Sequence, residues 1–76
     1  MIKELPIVGL KHSVTKEQKK PITFVTVCVT DCIPKEDAYG EFFSTCIVDG
    51  HLEPSAINRT ALCSVDKFGR VQDVTL

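Results

Sequence analysis

Residues 21–32 read PITFVTVCVTDC. Seven of the nine residues from Ile22 to Thr30 are β-branched, a composition that suits a pleated, half-buried strand and crowds a helix. Alternation puts Val25, Val27 and Val29 on one face and Ile22, Phe24, Thr26, Cys28 and Thr30 on the other. A face of valines is a core face. A face that mixes one ring with threonines is half buried or functional.

Working outward, EFFSTCIVDG (41–50) reads as a second strand, paired with the first in a long hairpin. RTALCSV (59–65) is a third strand and VQDVTL (71–76) closes the chain as another. IKELPIVGL (2–10) is a strand at the N-terminus, with Pro6 assigning it to an edge or a bulge. Between them, DCIPKEDAYG (31–40) is a charged turn or protruding loop, and HLEPSAIN (51–58) is a loop or at most one helical turn. DKFGR (66–70) is a tight turn with Gly69 at a positive-φ position. No segment carries a helical period. Five strands in a short chain close most readily into a barrel, because closure removes sheet edges. The expectation is an all-β, five-stranded OB-like Greek-key barrel with protruding hairpins, spanning 1–76 as a single domain. An SH3-like barrel fits the count almost as well, and periodicity does not choose between them.

A chain of 76 residues buries only about 60% of its unfolded surface, so a ligand or partner subunit adds to its stability. Hydrophobic residues make up 43%, enough to build a core and exclude a disordered chain. No apolar run is long enough to span a membrane. MIKELPIVGL carries Glu4 and Pro6 in place of a signal-peptide core, so a cytoplasmic location is expected. There Cys28, Cys32, Cys46 and Cys63 read as reduced thiols. Cys28-x-x-x-Cys32 is a loose zinc spacing with no second ligand pair, and His12 and His51 are isolated. Glu36, Asp37 and Glu41 lack the alternation of a calcium loop. Ser13, Ser44, Ser55 and Ser64 have no histidine and acid in a triad pattern, and the four glycines each stand alone. The reading is a non-enzymatic protein with no metal and no cofactor.

The net charge is −1, but it is unevenly spread. Residues 1–20 carry +3, residues 21–53 carry −5 and residues 54–76 carry +1. The cations cluster beside aromatics in two places. One is KEQKKPITF, with Lys16, Lys19 and Lys20 near Phe24; the other is DKFGR, with Phe68 between Lys67 and Arg70. Cations that track phosphates, next to rings that stack on bases, are how proteins hold single-stranded nucleic acid. The plainer reading is that the lysines solubilise a hairpin and Phe68 caps the barrel.

With these stretches in order, the chain resembles the small single-stranded-DNA-binding (helix-destabilising) proteins of filamentous phages. The likeness is of order and spacing over nearly the whole chain. Lys19-Lys20-Pro21-Ile22-Thr23-Phe24 stands where the family has a Gly-Lys-Pro-aromatic segment leaving a basic wing, and Phe68-Gly69 stands at its late Phe-Gly turn. The chain departs from the pattern in four places. Lys19 replaces the glycine, Ile22 replaces the ring (which returns at Phe24), Glu17 interrupts the wing, and the last strand lacks arginines. The resemblance implies an OB-like barrel, a symmetric homodimer and sequence-tolerant, cooperative coating of single-stranded DNA; the residues themselves do not separate DNA from RNA as the ligand. It implies Lys16, Lys19, Lys20, Lys67 and Arg70 on phosphates, Phe24 and Phe68 on bases, Ile22 as an apolar contact and His12 as added charge at low pH. The alternative is a small phage or plasmid barrel that binds a host protein through its acidic middle, Asp31 to Glu53.

Overall fold

The computed structural model describes residues 1–76. It contains five strands: β1 (Ile2–Val14), β2 (Pro21–Cys28), β3 (Phe43–Asp49), β4 (Thr60–Val65) and β5 (Val71–Thr75). Single 3-10 turns at Thr30–Cys32 and Pro54–Ala56 are the only helical backbone. The strands are antiparallel in the order β3-β2-β1-β4-β5, and β3 packs against β5 without a ladder between them. The result is a nearly closed, OB-like barrel, as expected from the strand count.

β1 makes this closure. Its first half pairs with β4, from Ile2↔Ser64 to Pro6↔Thr60, and its second half pairs with β2, from Ile7↔Val27 to Val14↔Pro21. β1 as a whole is central, but at Pro6 it pairs with β4 alone, so the proline sits at a local edge; the bulge follows two residues on, where the register shifts between Ile7 and Gly9 and leaves Val8 as the extra residue. Pro6 fits because Ile7 donates its N–H to the Arg59 carbonyl at 2.9 Å. The neighbouring nitrogen at Pro6 therefore faces the other side, where the ladder with β2 has ended. The bulge also switches parity, so Leu5 and Ile7 turn inward before it and Leu10 after it. β1 runs four residues past the strand read from sequence, taking in Lys11 to Val14. The connection to β2 is correspondingly short.

Val25, Val27 and Val29 are buried as the alternation predicted, against Ile7, Cys63, Val65 and Val74. Each such side chain contributes about 1.5–3 kcal/mol by leaving water. Thr23 continues the valine face and is fully buried. Its Oγ1 donates to the Gly50 carbonyl at 2.7 Å and accepts the Leu52 N–H at 3.0 Å, so the hydroxyl is satisfied and ties β2 to the turn after β3. The four cysteines are free thiols. Burial pushes the Cys63 thiol up from its ordinary value, as it does that of Cys46, so both behave as small apolar side chains.

Candidate nucleic-acid interface

The turn between β1 and β2, residues 15–20, is organised by Thr15. Its N–H donates to the Lys20 carbonyl at 2.9 Å, and its own carbonyl accepts from Lys19 N–H at 3.0 Å. Its hydroxyl accepts from Lys20 N–H at 3.0 Å. Lys19 takes φ +51° to close the turn. These bonds hold Lys16, Lys19 and Lys20 as three exposed cations on a compact tip. The only ion pair in the molecule is Arg70–Asp66, so the three lysines carry free charge even with Glu17 among them.

Across β1, β2 and β3 the outward side chains form cross-strand rows. Nearest the turn is Ser13–Ile22–Asp49, then Lys11–Phe24–Ile47, then Gly9–Thr26–Thr45, then Cys28–Phe43 beside the bulged Val8. Ile47 and Phe43 are each more than half exposed, at 56% and 53%. Phe24 and Ile22 are half buried in the same surface. An apolar lane thus runs down the outside of the hairpin, and Lys11 faces Phe24 from β1.

The β4–β5 turn is built on Asp66. One carboxylate oxygen accepts the N–H groups of Phe68 and Arg70 at 2.9 Å each. The other accepts from Arg70 Nε at 3.0 Å and Gln72 Nε2 at 3.3 Å. The bond from the Arg70 amide, followed by those from Phe68 and the guanidinium, holds the Asp66 carboxyl below its ordinary range. Phe68 is 57% exposed. Lys67 Nζ lies 5.1 Å and the Arg70 guanidinium 5.5 Å from its ring centroid, both within cation–π reach. Gly69 has φ +83°, and a Cβ there would collide with Ile33 Cδ1. The turn is thereby seated against the loop that follows β2.

The two cation–aromatic groups do not meet. Val65 donates to the Met1 carbonyl, so the β4–β5 turn sits at the start of β1, whereas the lysine turn sits at its end. The Phe24 lane lies between them. His12 is set apart from that lane. It pairs with the inward Thr23, its Nε2 meets the Leu52 carbonyl, and its ring stacks on His51 at 4.6 Å between centroids and 9° between planes. His51 Nε2 meets the Ser13 carbonyl at 2.9 Å in return. The pair clasps the end of β1 to the β3–β4 connection.

Sequence reasoning missed Lys11, Phe43, Thr45 and Ile47 as members of this surface, and placed Thr26 on the Phe24 face without giving it a role. The alternation of 41–50 was visible, but only the hairpin register shows that Phe43, Thr45 and Ile47 share a face with Phe24. The acids Asp31, Glu36, Asp37 and Glu41 fall in the β2–β3 loop, at the end of β2 away from the lysines, with Tyr39 85% exposed among them. No three His, Cys, Asp or Glu side chains converge as a metal site would need, and no helix is long and apolar enough to cross a membrane. No protein-family model, curated protein or solved structure matches the chain.

Proposed function

We propose that this protein is a non-enzymatic, sequence-tolerant single-stranded-DNA-binding protein that coats phage DNA during replication in the host cytoplasm. The observation that carries the reading is the Lys11–Phe24–Ile47 row on the outer face of β2 and β3. It lies between a turn of unpaired lysines and a turn that presents Phe68 with two cations. The outer face of strands 2 and 3, flanked by the loops joining strands 1–2 and 4–5, is the surface with which OB barrels bind oligonucleotides. Lys16, Lys19, Lys20, Lys67 and Arg70 meet phosphates; Phe24 and Phe68 stack on bases; Ile22 adds an apolar contact. His12 acts by holding the root of the lysine turn.

A symmetric homodimer belongs to the proposal. Only 13 of 76 residues are buried in the single chain, and Ile2 and Leu62 remain exposed on the outer face of β1 and β4. A second copy there would extend a small core.

The test is fluorescence anisotropy of a labelled oligonucleotide titrated at low salt, single-stranded against duplex of the same sequence. Saturable binding with preference for the single strand is expected; no binding overturns the reading. A second reading, a host protein docked on the acidic β2–β3 loop, rests on the exposure of Tyr39 among four carboxylates. It predicts no affinity for DNA and loss of partner binding when Glu36, Asp37 and Glu41 are neutralised.

A further inference from the structure

Gly9 stands in the interior of β1, where a glycine weakens a strand and marks a bulge, a bend or the close approach of another group. The bulge beside it is centred on Val8. The backbone at Gly9 does not need a glycine, for its φ lies outside the left-handed region that Gly40, Gly50 and Gly69 occupy. Packing does not need one either: a Cβ at Gly9 would meet only Thr26 Cβ, at an ordinary 3.8 Å. What the missing side chain leaves is space on the outer face. An open recess of about 420 Å³ lies there, lined by Gly9, Leu10, Lys11, Phe24, Thr26 and Thr45.

The polar part of this recess is a hydroxyl pair. Thr26 Oγ1 and Thr45 Oγ1 are 3.0 Å apart, and either oxygen serves as the donor. One hydroxyl gives its proton to the other, so the pair keeps one free O–H and open lone pairs. Rotation of both hydroxyls reverses their order. Next to them is the Phe24 ring, with Lys11 directly opposite it on β1 and free of any carboxylate.

We infer that this recess is a subsite for one nucleobase, whose ring packs on Phe24 above the bare Gly9 backbone, whose polar edge meets the Thr26–Thr45 hydroxyls and whose phosphate meets Lys11. The inference rests on the proposed single-strand binding and specifies where on the β1–β2–β3 face a base is held. Because the hydroxyl pair reverses, it meets a base edge that presents donor then acceptor as readily as one that presents acceptor then donor. That is a physical source of sequence tolerance within a shaped site.

The test compares two labelled probes of equal length, an oligothymidylate and an abasic strand with the same phosphates and no bases. Each is titrated with the wild-type protein, Gly9→Val and Thr45→Val, with thermal melts alongside. The wild type is expected to favour oligothymidylate. Gly9→Val, which fills the recess, is expected to lose roughly fivefold or more on oligothymidylate, the lower bound for one stacked base; Thr45→Val, which removes one hydroxyl, is expected to lose roughly two- to tenfold; both are expected to bind the abasic strand as the wild type does. Thr45→Val keeps the shape of an exposed side chain, so it decides the matter if Gly9→Val lowers the melting temperature. If the wild type favours oligothymidylate and both variants match it on both probes, the subsite is wrong and single-strand binding stands. Equal losses on the two probes also overturn the subsite. If the wild type binds neither probe, the functional reading itself fails.

Discussion

Phe68 concentrates three requirements in one turn. The ring is exposed, two cations lie over it, and Asp66 and Gly69 fix the backbone that presents it. Phe68→Ala removes a stacking surface and no core contact. It should weaken oligonucleotide binding by about 1–3 kcal/mol and leave stability within about 0.5 kcal/mol, read by titration and thermal melt together. Asp66 adds a pH dependence. Its carboxyl is held below the ordinary value, so its contribution is full above the unfolded-state value and is lost as pH falls through the lower, folded-state one. In acid the turn should loosen, and the difference in binding between wild type and Phe68→Ala should shrink. Asp66→Asn should show that smaller difference already at neutral pH. At this scale much was legible in the sequence. Val25, Val27 and Val29 announce the core, and a phenylalanine between two cations at a glycine turn announces exposure. His12 was not legible as a clasp, because its partners Leu52 and His51 lie about forty positions away.

At the scale of elements, β1 decides the architecture. It serves two half-sheets, and the bulge at Val8 lets it turn from one to the other. Ile7, at the bend, is fully buried. Ile7→Ala should cost about 2–5 kcal/mol, measured by denaturant unfolding. The sequence showed Pro6 but not that the edge there is local, since that depends on the pairing of β1 on both sides. The site had the same difficulty. Phe24 was identified from its own strand, whereas Lys11 and Ile47 join it only through the registers of two hairpins. The lysine turn is held by Thr15 and by the histidine clasp. His51→Ala should therefore weaken binding while leaving Thr23 and the valine core intact, with faster amide exchange confined to residues 12–20.

At the scale of the whole molecule, charge is laid out along the hairpin. Lys16, Lys19 and Lys20 outnumber Glu17 and Asp49 at one end of β2, and four carboxylates outnumber Lys35 at the other, with the apolar lane between. This separation accounts for a basic patch on a chain of net charge −1. Phosphate contacts depend on where the cations are placed, not on the total charge. The measurement that tests the central claim most directly is the affinity for a single-stranded oligonucleotide at several salt concentrations. Six cations on phosphates, the five of the two turns and Lys11, predict that log K falls with log salt at a slope of roughly −4, and that Lys20→Ala reduces its magnitude by about 0.7. Binding that is absent at low salt, or that is indifferent to salt, would contradict the account.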